Sequence, residues 1–232
     1  MRLSLVSWNV HFARTARWEP SGDAILAAID GFGADVLCLQ EAEERFGGRP
    51  SALPLHELAR RGWRPVRRAP GSGLGYRGNA ILLRRGWRVD DALHLPLRGI
   101  ETRGALIARI RAPEGAPLTL ACVHLGLLGR HRRTQLRAVG RAMEGLPGPG
   151  LIVGDVNEWR LRARLPLPDG WTMHAPGRTF STARPRFPLD RIMAGPGVRV
   201  EDARVLREGF DVSASDHFPI AATLVLPDRG PA

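Results

Sequence analysis

The chain has 232 residues, 44% of them hydrophobic, with 34 basic against 23 acidic side chains and a formal charge of +11. That apolar content supports a sizeable core and excludes a mainly disordered chain, and the length suits one large domain over residues 1–232. All 34 basic residues are Arg, and only three Asn and two Gln accompany 27 Gly, so GC-rich coding and an anionic partner explain the charge about equally well.

The opening MRLSLVSWNV reads as a first strand, Leu3–Val10, because no small-residue cleavage site accompanies its brief apolar run. Asp23–Phe32 follows as a helix with Ile25, Ile29 and Phe32 on one stripe and Gly33 as its stop. A strand is predicted at Val36–Gln40 and a second helix at Ser51–Arg61, ending at Gly62. The segment Gly73-Leu74-Gly75-Tyr76-Arg77-Gly78 has the G-x-G-x-x-G spacing of a dinucleotide loop. It leads into a strand, Ala80–Arg84, instead of the helix whose N-terminus would hold a pyrophosphate, so dinucleotide binding is not expected.

Strands at Val89–Leu95, Ala105–Arg111 and Leu118–His124 precede a third helix, Arg130–Glu144. There Leu136, Val139 and Met143 share one face, while Arg130, Arg133, Arg137 and Arg141 stack on the other, which reads as a solvated face. The remaining strands are Leu151–Asp155, Asp190–Ala194, Val198–Leu206 and Pro219–Leu226. Many short strands with a few covering helices predict an α/β or α+β sandwich in one domain. Cys38 and Cys122 fall inside apolar runs and read as buried reduced thiols of a cytoplasmic protein. The longest uncharged stretch, Gly115–Gly129, is too short for an integral membrane segment. A monomer is the default expectation.

Polar residues gather at the ends of the apolar strands. Ser7-Trp8-Asn9, Leu39-Gln40-Glu41, Val123-His124-Leu125, Gly154-Asp155-Val156-Asn157 and Ser215-Asp216-His217 follow this pattern, and Leu189-Asp190-Arg191-Ile192 opens a strand with an acid. Singly, each such residue is more often a cap or turn residue. Together they supply oxygen ligands for a hard cation and groups able to move protons and grip phosphate oxygens. The sequence has no zinc-type Cys/His spacing, no G-x-S-x-G elbow and no lysine for a Walker motif. Metal-assisted attack of water on a phosphate ester, with Mg²⁺ or Mn²⁺, suits these side chains best.

In this order the motifs SWN, LQE, VHL, GDVN, LDRI and SDH resemble the endonuclease/exonuclease/phosphatase superfamily, from Ser7 to Pro219. Its usual G-D-F-N is G-D-V-N here, an apolar swap that leaves the flanking acid and amide in place. The resemblance implies a four-layer α-β-β-α sandwich with two packed, mainly antiparallel central sheets, as in pancreatic-type deoxyribonucleases. It implies that Glu41, Asn9 and Asp216 hold the cation, and that Asp155 acts on the attacking water or the leaving oxygen. Asn157 would hold a phosphate oxygen or orient Asp155. His217, paired with Asp190, and His124 would contact the scissile phosphate. Asn79 and Arg103 are further candidates for phosphate contact.

His11, His56, His94, His131 and His174 match no motif and read as structural or surface residues. Glu43 and Glu44 are expected to face solvent, and Trp159 to pack a loop. The expected activity is a metal-dependent phosphodiesterase, foremost a nuclease acting on nucleic acid. A small or lipid phosphoester is the alternative substrate. A non-catalytic phosphate-binding protein is the alternative of a different class, and the presence of Glu41, Asp155, Asp216 and His217 argues against it.

Overall fold

The computed structural model describes residues 1–44, 47–67 and 73–227. Its strands, in chain order, are β1 (Arg2–Asn9), β2 (Val36–Gln40), β3 (Trp63–Pro65), β4 (Ala80–Arg84), β5 (Arg88–Leu97), β6 (Arg103–Arg111), β7 (Pro117–His124), β8 (Gly150–Asp155), β9 (Thr172–His174), β10 (Asp190–Ala194), β11 (Arg199–Val205) and β12 (Ile220–Val225). The helices are α1 (Gly22–Gly31), α2 (Leu55–Arg60) and α3 (Gly129–Glu144). Two six-stranded sheets result, in the orders β11-β12-β1-β2-β4-β3 and β5-β6-β7-β8-β10-β9. Each is antiparallel except for one parallel pair, β1 with β2 and β7 with β8.

The period-two alternation of the strands explains the layers. On β1, Leu3 and Leu5 join an inter-sheet core with Leu120 and Cys122 of β7 and Leu151 and Val153 of β8. The opposite face of β1, with Val6 and Trp8, packs on Ile25, Leu26 and Ile29 of α1. Symmetrically, Ala121, Val123 and Ile152 pack on Leu136, Val139 and Met143 of α3. The expected α-β-β-α sandwich is therefore present. Each parallel pair is joined by a helix that crosses back over its own sheet, α1 for β1 and β2, α3 for β7 and β8, as parallel strands require. This brings the C-terminal ends of β1, β2, β7 and β8 to one edge.

The sheets approach closely at that edge. A Cβ on Gly154 would stand 2.1 Å from the Val123 carbonyl oxygen and 3.0 Å from Gln40 Nε2, at a φ of +142°. Gly154→Ala is therefore expected to lower unfolding stability by about 1–3 kcal/mol, read as a lower urea midpoint at unchanged slope.

Two local expectations differ from the structure. The second helix begins at Leu55, four residues late, because Pro54 precedes it with extended backbone and Ser51 instead hydrogen-bonds Leu53. The strands β3 and β9 were not expected; with three residues each, they are too short to show a period. On α3 the expected apolar face and exposed Arg stripe are present, and Arg132 and Gln135 are buried as well. Cys38 and Cys122 are buried and free, as expected. No helix among the described residues is long and apolar enough to cross a membrane.

Candidate active site

Strand register assembles the centre. Asp155, the last residue of β8, lies opposite His124 of β7 on one side and Asp190 of β10 on the other. Its carboxylate is 2% exposed and held at both oxygens: Asn157 N–H donates to Oδ1 at 2.8 Å and Asn9 Nδ2 to Oδ2 at 3.2 Å. Asn157 adopts a left-handed φ of 54° and anchors its own amide on the Leu125 carbonyl. From the other sheet, Glu41 leaves the end of β2, also with a left-handed φ, of 52°. Strained backbone at non-glycine residues is concentrated where function constrains geometry.

The segment before β12 is tied to β1. Trp8 Nε1 donates to the His217 carbonyl at 2.7 Å, and Ser215 Oγ donates to the Asn9 carbonyl at 2.6 Å. His217 thereby faces Asp190, with Nδ1 3.1 Å from Oδ2, while its Nε2 lies 3.7 Å from Asp155 Oδ2.

The two histidines are in opposite charge states. Arg103 Nη1 lies 2.9 Å from His124 Nδ1, and because a guanidinium only donates, Nδ1 must be the acceptor and Nε2 carries the proton. That nitrogen lies 3.3 Å from Asp155 Oδ2. Burial first, and the Arg103 charge second, push the His124 imidazole down to about 3, so it is neutral. For His217, burial acts downward, but the summed attraction of Asp190, its hydrogen bond, Asp155 and Asp216 outweighs it and raises the imidazole to about 10. It is an imidazolium at neutral pH.

Glu41 is raised to about 7, by burial first and then by repulsion from Asp155, with Asp216 adding to it. Asp216 Oδ1 is buried without a hydrogen-bond partner. Crowded carboxylates, one of them with an unanswered oxygen, fit a hard cation with oxygen ligands. No three His, Cys, Asp or Glu side chains among the described residues close into a metal cage. Magnesium commonly takes one or two carboxylates and completes its shell with water and substrate phosphate, which suits so open a donor set.

These groups line a cavity of about 390 Å³. Asn9, Glu41, Arg103, His124, Asp155, Asn157, Asp216 and His217 line it, with walls that include Phe12, Trp18, Trp159, Phe180 and Phe187. A cavity of about 470 Å³ beside Asp90, Asp91 and Arg109 gathers no comparable set of groups.

Residues 6–217, which hold every group just described, match the Endonuclease/Exonuclease/phosphatase family. The chain belongs to this family. Its members are phosphoester hydrolases, and this chain carries their fold. The uncharacterized protein YbhP of Escherichia coli K12 is 32% identical over 224 residues, covering 86% of both chains. The structure of D. rerio TDP2 complexed with single strand DNA product superposes with a TM-score of 0.70 at 20% identity, covering 97% of this chain and 99% of that one. The mannosyl-6-phosphatase Bt3783 of Bacteroides thetaiotaomicron superposes with a TM-score of 0.71 at 17% identity, covering 97% and 100%. At such identities the two structures speak for the fold alone.

Within this family member, the cleft brings together all the candidate residues but two. Asp190 is 1% exposed and stands behind His217. Asn79 is fully buried, and its Nδ2 donates to the Gly104 carbonyl at 2.9 Å, so it joins β4 to the start of β6 instead of facing the cleft. His11, expected to be structural, lines the cavity with Nε2 4.0 Å from Asp216 Oδ2. Trp159, expected to pack a loop, is 59% exposed on the rim against Phe187.

Glu43 does not face solvent. It is 3% exposed and accepts from the Gly75 and Gly78 N–H groups at 2.8 and 2.9 Å, closing the glycine loop against the strand end that carries Glu41. Glu43→Ala leaves those donors without their acceptor and is expected to cost about 2–4 kcal/mol, measurable by thermal unfolding. Arg191 is also fully buried and donates to the Asp190, Glu158 and Arg160 carbonyls, fixing the two loops behind the site. The bare sequence offered no signal for either role beyond proximity to a motif.

Proposed function

We propose that the protein is a divalent-metal-dependent phosphodiesterase, with Mg²⁺ or Mn²⁺ as cofactor and nucleic acid as its substrate class. One observation carries this reading: carboxylate acceptors and cationic or N–H donors line a single cleft side by side. Glu41, Asp155 and Asp216 supply the acceptors, and Arg103, His124 and His217 the donors. Asn9, Glu41 and Asp216 would hold the cation, which when bound stabilises charge on a phosphoryl oxygen and makes water a better nucleophile.

The chain's own groups supply the remaining steps. Asp155, fixed at both oxygens, orients the attacking water and takes its proton. His124 Nε2–H donates to a non-bridging oxygen, and Arg103 both holds that tautomer and adds positive charge beside it. The His217 imidazolium, aligned by Asp190, donates from Nε2 toward the phosphoryl group. Asn157 keeps Asp155 in register. Fixed donors aimed at developing phosphoryl charge account for the catalysis without a covalent intermediate.

Nucleic acid is supported by the +11 formal charge and by D. rerio TDP2, which shares the fold and whose structure is described with single strand DNA product. The test is turnover of bis(p-nitrophenyl) phosphate with Mg²⁺, Mn²⁺ or EDTA, alongside calorimetric Mn²⁺ titration of wild type and Glu41→Gln. Turnover should require the metal, and Glu41→Gln should lose both metal affinity and activity. Turnover that survives EDTA, or undiminished Mn²⁺ binding by Glu41→Gln, would contradict the reading.

A further inference from the structure

Of the seven large apolar side chains exposed among the described residues, three gather at the cleft, both tryptophans among them. Among the described residues, Trp18, Leu127 and Trp159 are exposed by 56%, 56% and 59%, and all three stand on the rim of the cleft. Single exposed apolar residues are ordinary, but a group of them around a charged site marks a contact surface.

Each tryptophan is held in place. Trp18 ends a tight turn, its N–H on the Thr15 carbonyl and its backbone at a left-handed φ of 63°. Its ring lies nearly parallel to Phe12, 11° apart in plane with centroids at 6.4 Å, and meets His11 edge-on. Trp159 leans on Phe187 with centroids at 4.9 Å. The backbone beside it is fixed by Arg132 on the Glu158 carboxylate and by Arg191 on the Glu158 and Arg160 carbonyls. Large rings fixed in advance, yet left facing solvent, lose little conformational freedom when a flat partner arrives.

The two walls repeat one pattern. Trp18 follows the exposed Arg17, and Trp159 precedes the exposed Arg160. Trp18 follows the end of β1 and Trp159 the end of β8, so each sheet leads into one cleft tryptophan with an exposed Arg next to it in the chain. Nucleotides present the complementary alternation of a flat base and a phosphate. In a duplex the bases are stacked internally and their faces are covered; in a single strand they are free.

We propose that Trp18 and Trp159 are base-stacking platforms flanking the scissile phosphate, so that the enzyme takes single-stranded in preference to duplex nucleic acid. The proposal rests on the phosphodiesterase reading above. Arg17 and Arg160 then contact the phosphates next to the scissile one, which makes binding salt-dependent.

The test measures anisotropy of a labelled 12-nucleotide single strand, and of its duplex, on the Asp155→Asn protein carrying Trp18→Ala, Trp18→Leu, Trp159→Ala or Trp159→Leu. Val212→Ala, an exposed apolar position outside the cleft lining, serves as the control. Single-strand affinity should fall about 10-fold for each tryptophan replacement, Leu included, because stacking and not mere hydrophobicity is lost. The duplex should bind more weakly than the single strand, and Val212→Ala should match its parent.

Unchanged affinity in the Ala variants, full affinity in the Leu variants, or equal binding of duplex and single strand would each overturn the proposal. So would binding of anionic phosphatidylglycerol vesicles that is lost with the tryptophans while oligonucleotide binding is not, since the rim would then serve a lipid surface. Wild-type turnover of bis(p-nitrophenyl) phosphate separates the two levels: if it is absent, the phosphodiesterase reading fails; if it is present without stacking, only this proposal does.

Discussion

Asp155→Asn is expected to lower metal-dependent phosphodiester hydrolysis by about 10²–10⁴-fold while the protein stays folded. Asn preserves the shape and one acceptor oxygen, so the Asn157 N–H can keep its partner on Oδ1. The substitution removes the charge and the basic oxygen that face Asn9 Nδ2, His124 Nε2 and His217 Nε2. The loss should therefore fall on kcat, with KM nearly unchanged, because the group acts on the reacting water and not on substrate binding. Steady-state kinetics on bis(p-nitrophenyl) phosphate, with near-ultraviolet circular dichroism as the check on folding, separates these outcomes. An equal loss of activity with collapsed tertiary signal would place Asp155 in the architecture alone.

The second large effect is expected at a residue that does not line the cleft. Asp190 sits behind His217, and its Oδ1 is buried without a hydrogen-bond partner. A buried carboxylate that is only half satisfied is poorly explained by stability, since an unmade hydrogen bond is costly. It is explained by His217, whose Nδ1 it holds at 3.1 Å and whose positive charge it sustains. Asp190→Asn removes that charge and lets the amide present a donor to the ring, so the imidazole can turn or change tautomer. Activity is expected to fall by about 10²–10³-fold, mostly in kcat. The distinguishing readout is the ¹⁵N resonance pattern of His217, which should change from imidazolium to a neutral tautomer in the variant. An unchanged imidazolium signature with full activity would remove Asp190 from the mechanism.

Much of the candidate site was legible because its residues sit at the ends of strands that are themselves legible. An apolar run closing on Asn9, Gln40-Glu41, His124 or Asp155 marks both a strand and the end where polar groups collect, and register then determines which ends meet. The alternation that buries Leu3 and Leu5 between the sheets and Val6 and Trp8 under α1 is likewise present in the residue order.

What was not legible depends on contacts between segments far apart in the chain. Asn79 was a further candidate for phosphate contact, yet its Nδ2 donates to the Gly104 carbonyl, 25 residues away. Glu43 looked solvated beside Glu44, until the glycine loop folds over it and supplies two N–H donors. The rim aromatics, Trp18 and Phe187 among them, lie in turns and loops, where no periodicity signals which way a side chain points. Three-residue edge strands and a helix start displaced by Pro54 failed for a simpler reason, the shortness of the segment against the period being read.

A metal-dependent phosphodiesterase centred on Asp155 is tested most directly by release of acid-soluble nucleotides from uniformly labelled single-stranded DNA, by wild type and Asp155→Ala, in Mg²⁺, Mn²⁺ or EDTA. Endonucleolytic and exonucleolytic action both register in this measurement. Release is expected to require the metal and to disappear in the variant. Release that persists in EDTA, or that Asp155→Ala supports at the wild-type rate, would contradict a metal-dependent phosphodiesterase centred on Asp155.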